Sequence, residues 1–169
     1  MLAGVEKPDK GEMKGVKISY KPQNLLIERS KIVKDYLKEI AREDFESGWY
    51  KQNIIEKLNI KHVLNNEMST LSGGELQKVN IAACLSKNVE VYALDEPSAF
   101  IDVEDRLNIA EVIREFCFKK ECCAIVVDHD VQFVDYLADS MLVFEGVPKK
   151  EGLVFGPVDK RTGMNRVLK

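Results

Sequence analysis

No stretch of this chain approaches the roughly 20 consecutive apolar residues that a membrane-spanning helix needs, so a membrane partner is not expected. Nor is charge of one sign in excess. Lys and Arg number 25 against 28 Asp and Glu, a net charge of -3. That balance offers no electrostatic case for nucleic acid or a lipid surface. The four cysteines, Cys84, Cys117, Cys122 and Cys123, form no C-x-x-C pair, which speaks against zinc or iron–sulfur ligation. Cys122-Cys123 opens an apolar run and reads as buried strand, in a reduced, cytoplasmic setting. Met1-Leu2-Ala3-Gly4 lacks the basic start of a signal peptide. There is no internal repeat, no low-complexity segment, and no Gly-rich phosphate loop ending in Lys.

What is present suits one α/β domain. Apolar residues make up 45% of 169 positions, enough for a core. Gly4 to Gly15 reads as a surface connection. Val16 to Tyr20 alternates apolar and polar, as a half-buried strand does, and Pro22 ends it. Ser30 is placed to cap a helix carrying Ile32, Val33, Tyr36, Leu37 and Ile40. A second helical stretch runs from Lys51 to Leu58. Two near-continuous apolar runs, Val89–Leu94 and Cys122–Val127, resemble parallel strands buried on both faces. Helices follow each: one from Asp102, a cap candidate, and one near Val131–Leu137. Met141–Phe144 reads as a further strand, and Leu153-Val154-Phe155 as a short edge strand. The pattern predicts a mainly parallel sheet flanked by helices. Residues 1–23 and 89–169 form the α/β core, and residues 24–88 a small helical subdomain.

Five places carry chemistry. Asp95-Glu96 ends an apolar strand, where α/β sheets place ligands. Adjacent carboxylates there suit a cation at Asp95 and an attacking water at Glu96; two solvated acids at a strand end are the plain alternative. Leu71-Ser72-Gly73-Gly74-Glu75 can bring backbone N–H groups close to an anion. Ser72 and Glu75 also form a capping-box pattern, and one geometry can serve both. His129, in Val127-Asp128-His129-Asp130, can donate to a phosphate or serve a structural role. Gln23, after Pro22, can offer its amide oxygen to a cation or water, or lie in a surface loop. Asp102 can cap its helix or link two sites.

The order Gln23, LSGGE, apolar-LDEP, SAFID and VVDHD resembles the ATP-binding cassette (ABC) family, a branch of the P-loop NTPases. By resemblance, Gln23 is the Q-loop residue and a Mg²⁺ ligand. Ser72, Gly73, Gly74 and Glu75 form the ATP-contacting signature. Asp95 is the Walker B metal ligand, Glu96 the catalytic base, Asp102 the D-loop residue and His129 the switch histidine. Tyr20-Lys21-Pro22-Gln23, the run from Leu71 to Val79, the run from Asp95 to Glu104, and Thr162-Gly163-Met164-Asn165 are similar to the second nucleotide-binding domain of the ribosome-recycling ABC ATPases, the RNase L inhibitor group.

The resemblance implies ATP and Mg²⁺ as ligands. It implies a second cassette as partner, with ribosomal subunits and translation factors beyond it. In the family, one cassette's signature caps ATP held by the other, so these residues would serve two composite sites. Because no phosphate loop is present, the segment is expected to be a partial cassette, inactive alone and prone to self-association. A transporter's nucleotide-binding domain and a non-catalytic interaction module stay open as alternatives.

Overall fold

The computed structural model describes residues 15–28, 30–147 and 151–167. The readings of Met1 to Gly4, and of the connection as far as Lys14, fall outside them. Three strands form a parallel sheet in the order β1, Ile18–Lys21; β2, Val91–Asp95; β3, Cys123–Val127. Lys21 lies opposite Leu94, and Asp95 opposite Val127. The carboxyl ends of the strands are therefore level. Gln23, Glu96 and His129 each follow their strand by one or two residues and emerge side by side.

The buried side of β1 is the reverse of what its alternation suggests. Ser19 and Lys21 point into the core, whereas Tyr20 is 53% exposed. The reason is local satisfaction. The Ser19 hydroxyl donates to the Cys84 carbonyl at 2.7 Å. The Lys21 ammonium donates to the Asp95 carbonyl, also at 2.7 Å. Buried polar groups are tolerated when they are paired in this way.

Between β1 and β2 the chain is helical. Helix α1, Val33–Ala41, is not capped by Ser30; its N-cap residue is Ile32, whose side chain makes no capping bond. A returning segment supplies the acceptors instead. Ile32 bridges to Glu67, Val33 N–H donates to the Asn66 carbonyl and Lys34 N–H to that of Leu64. These bonds satisfy the open first turn of the helix. Helix α2, Gly48–Tyr50, passes into a π-helical turn, Lys51–Glu56, which buries Ile54 and Ile55. Helix α3, Gly73–Leu85, is buried along most of its length. It covers the β1 face that holds Ser19.

Helix α4, Val103–Lys120, returns across the sheet. Its Phe116 meets Tyr92 of β2 edge-on at 5.1 Å and Trp49 of α2 at 5.9 Å. One apolar core thus joins the helical segment to the sheet. Helix α5, Val131–Leu137, follows β3. Strand β4, Ser140–Val147, then pairs antiparallel with β5, Glu151–Asp159, and α6 spans Lys160–Val167. Leu153-Val154-Phe155 is therefore strand, but it pairs with β4 and not with the parallel sheet. The Thr162–Asn165 run lies in α6, where Gly163 sits directly on Met141. Among the described residues, no helix is long and apolar enough to cross a membrane.

Strand β3 is not buried on both faces. Cys123 is exposed and Ala124 to Val126 are half-buried. Its far edge has no strand partner among the described residues. A groove of about 680 Å³ opens beside it, lined by Cys117, Cys122, Ala124, Val126, Val134 and Leu137 among others. An apolar run reveals that a strand is built for burial, not whether a neighbour is there to bury it. Cys122-Cys123 is thus not buried strand: Cys123 is exposed and Cys122, half-buried, precedes the strand, although burial pushes Cys117 up to about 12 and also raises Cys122.

Candidate active site

Glu96 is the hub. Its carboxylate oxygen Oε1 accepts a hydrogen bond from the Gln23 amide at 2.9 Å and lies 3.0 Å from His129 Nε2. Three residues far apart in sequence thus converge on one carboxylate. The Glu96 backbone is unusual as well. Its φ is 47°, in the left-handed region that a residue with a Cβ rarely adopts. Such a conformation costs on the order of 1–3 kcal/mol and persists only where its surroundings enforce it. Here the Glu96 N–H donates to the Val127 carbonyl at 2.7 Å. The Glu96 carbonyl accepts from Gln77 Nε2 at 2.7 Å and from Lys21 Nζ at 3.3 Å.

Asp95 stands beside this hub. The Tyr20 hydroxyl donates to its Oδ2 at 3.2 Å, leaving Oδ1 without a hydrogen-bond partner among the described residues. No three His, Cys, Asp or Glu gather into a metal cage among those residues. What exists is the free Oδ1 of Asp95, with the Gln23 amide held on the neighbouring Glu96. A sparse set of hard oxygens fits Mg²⁺, which keeps most of its shell as water and phosphate oxygen. Lys21 adds positive charge underneath. Burial lowers its pKa, while Asp95, Asp128 and Glu96 act in the opposite direction.

The signature segment opens α3. Ser72 and Glu75 form the capping box that their spacing predicts. The Ser72 N–H donates to Glu75 Oε2 at 2.8 Å, the Ser72 hydroxyl to the same oxygen at 2.7 Å, and the Glu75 N–H to Ser72 Oγ at 3.3 Å. Gly74 is required by close approach. A Cβ there would stand 2.9 Å from the Phe100 carbonyl oxygen. Gly73 lies under the Phe100 side chain, which is 68% exposed. Signature and post-Glu96 loop are therefore in contact. No hydrogen bond joins Ser72 to Gln23, Asp95, Glu96 or His129 among the described residues, so the site residues form two groups.

The capping box makes a testable pH claim. The Ser72 hydroxyl and N–H hold the Glu75 carboxyl below its usual range. A depressed carboxyl adds stability that is present above the unfolded pKa, ordinarily near 4.5, and lost as pH falls through the folded value. Glu75→Gln should therefore lower stability at pH 7, with the gap closing in acid. Ser72→Ala should cost about 1 kcal/mol. Urea unfolding at pH 7 and near pH 3.5 checks both; a gap that does not change with pH would refute the assignment.

Asp102 occupies the N-cap position of α4, yet its side chain makes no capping hydrogen bond. The anticipated cap is thus not formed. The neighbouring loops are tied by other groups. Asp128 accepts from the Ser98 hydroxyl at 2.7 Å and the Ser98 N–H at 2.9 Å. It also accepts from the Asp130 N–H at 2.9 Å. Asp130 caps α5 through the Phe133 N–H at 3.0 Å and pairs with Arg106, whose Nε donates to the Ile101 carbonyl at 3.0 Å. The Phe133 N–H first, and Arg106 after it, hold the Asp130 carboxyl below the usual range. Sequence reasoning missed Tyr20, Lys21, Gln77, Asp128 and Arg106. A Lys at the end of a strand, next to Pro22-Gln23, was the one available signal.

The ABC transporter family model matches residues 1–99, more than half of the chain. This chain belongs to the ABC family. Among curated ABC proteins, it is 46% identical to an uncharacterized ABC transporter ATP-binding protein of Methanocaldococcus jannaschii, over all of this chain and 28% of that protein. It is 36% identical to translation initiation factor RLI1 of Saccharomyces cerevisiae, again over all of this chain and 28% of the relative. Two solved structures superpose closely. An RNase-L Inhibitor gives a TM-score of 0.89 at 43% identity, covering 99% of this chain and 33% of that one. The archaeal ribosome recycling factor aABCE1, solved with the ribosomal stalk protein aP1, gives 0.89 at 42%, covering 99% and 32%. The chain thus spans under a third of the length of the curated relatives named. Its α/β fold is that of an ABC cassette of the P-loop NTPase class.

Proposed function

We propose that these residues form the part of an ABC cassette running from the Q-loop to the switch histidine, within a ribosome-recycling ATPase. The carrying observation is the convergence of Gln23 and His129 on Glu96 Oε1, at 2.9 and 3.0 Å. In this reading Glu96 accepts the proton of the attacking water. Gln23 and His129 hold that carboxylate in line, and His129 can pass a proton onward. Asp95 and Gln23 hold Mg²⁺. Bound Mg²⁺–ATP supplies the phosphoryl group and the charge neutralisation its transfer needs.

Ser72, Gly73, Gly74 and Glu75, with Asp102, face ATP held by a second cassette. Donating to that ATP requires the Ser72 hydroxyl to leave Glu75. The division into an α/β core, 1–23 with 89–169, and a helical subdomain, 24–88, belongs to the same proposal. So do action in the cytoplasm and ribosomal subunits and translation factors as partners. The RLI1 and aABCE1 relatives support the ribosomal reading.

Residues 1–169 contain no phosphate loop, so purified on their own they should show no Mg²⁺-dependent ATP turnover above background. Robust turnover that Glu96→Gln abolishes would refute the division of labour. In cell extracts, the protein carrying this segment should sediment with ribosomal subunits in an ATP-dependent manner; sedimentation with membranes would refute the ribosomal assignment.

A further inference from the structure

We propose that Gln77 and Lys21 are positioning residues, which grip the Glu96 carbonyl and so aim its carboxylate at Gln23 and His129. This rests on Glu96 being the base of the proposed site, and it extends that site to the signature helix.

Glu96 is held in the left-handed region, with φ of 47°. The Val127 carbonyl fixes its N–H from the neighbouring strand. Its carbonyl is fixed from the opposite direction by two donors, one from α3 and one from β1. Between the two grips, the peptide on either side of Glu96 cannot rotate freely. The side chain's exit direction follows from the backbone angles, so these grips set where the carboxylate lies.

Gln77 is the informative member. It is fully buried, yet its Oε1 has no hydrogen-bond partner. A buried acceptor without a donor is a cost to stability. A Gln kept at that cost is explained by its other end, the amide that holds Glu96. Gln77 also stands five residues after Ser72 on the same helix. A shift of α3 on contact with a partner's nucleotide is thereby passed to the base that serves this chain's own site. Lys21 acts from beneath, with its ammonium shared between the Asp95 and Glu96 carbonyls.

The test uses the two histidines, His62 and His129. Their ring ¹³Cε1–¹H signals can be assigned with His129→Asn. The His129 signal reports on the Glu96 carboxylate beside it, whether or not the chain turns over ATP. Gln77→Met keeps the length and removes both the donor and the unpaired acceptor. It should leave the unfolding midpoint unchanged or higher, yet move the His129 signal. Lys21→Met should move it too. Gln77→Asn, too short to reach, is the second variant should Met disturb folding. Asn80→Leu removes a neighbouring buried amide on α3 that bonds to Leu26 instead; it should leave the His129 signal in place. In the nucleotide-competent protein, Gln77→Met should lower kcat about 10–100-fold with an unchanged KM for ATP. A His129 signal that is the same in folded Gln77→Met, Gln77→Asn and Lys21→Met proteins would overturn the positioning role. An unchanged kcat in Gln77→Met with a moved signal would instead count against the catalytic reading of Glu96 alone.

Discussion

Replacing Glu96 with Gln should lower ATP turnover in the complete ATPase by about 10²–10⁴-fold, the usual worth of a positioned general base. Nucleotide affinity should stay within a few-fold. The substitution is close to isosteric. The new side chain keeps one oxygen that can accept from Gln23, so the local packing survives. What it loses is the capacity to take a proton. Glu96 is the residue on which this loss should fall hardest, because Gln23 and His129 both address it and neither addresses Asp95. Asp95→Asn should behave differently, weakening Mg²⁺ dependence as well as turnover. Steady-state kinetics at saturating ATP, with nucleotide binding measured separately, distinguish the two. Turnover within about threefold of the parent in Glu96→Gln would remove Glu96 from the chemistry.

The second large effect concerns the far edge of β3, which has no strand partner among the described residues. A groove of about 680 Å³ runs beside half-buried Ala124 and Val126. An unpaired strand edge presents a row of N–H and C=O groups to any second chain. Residues 1–169 alone should therefore self-associate at micromolar concentration, and their unfolding free energy should fall below the usual 5–15 kcal/mol. Sedimentation velocity across a concentration series is the direct check. Adding Lys at Val127, where the strand is already exposed, should reduce association without unfolding the sheet. A monodisperse monomer with cooperative unfolding at high temperature would show that the edge is closed by other means.

The chemistry was legible in the sequence where it rests on local physics. Two acids at the end of an apolar strand, and Ser72 three residues before Glu75, announce their geometry through nearest neighbours alone. The capping box formed as its spacing predicts. The features that escaped depend on distant partners. Ser30 and Asp102 had capping chemistry, but α1 drew its acceptors from Leu64 and Asn66, and the Asp102 side chain makes no cap. The alternation of β1 pointed to Ile18 and Tyr20 as the inner face. Ser19 and Lys21 took that place because carbonyls of Cys84 and Asp95 await them. Gln77 sits among apolar neighbours in α3 and leaves no periodic trace of its grip on Glu96.

The ties through Asp128 have a consequence for timing. Ser98, two residues past Glu96, and Asp130, one past His129, share a single carboxylate, and Arg106 continues the chain of bonds to the Ile101 carbonyl, next to Asp102. A loop laced at so many points has few intermediate postures. If it moves as a latch, its bonds are made or released together. Departure of His129 from its place would then reach Asp102 as a step and not as a gradual drift.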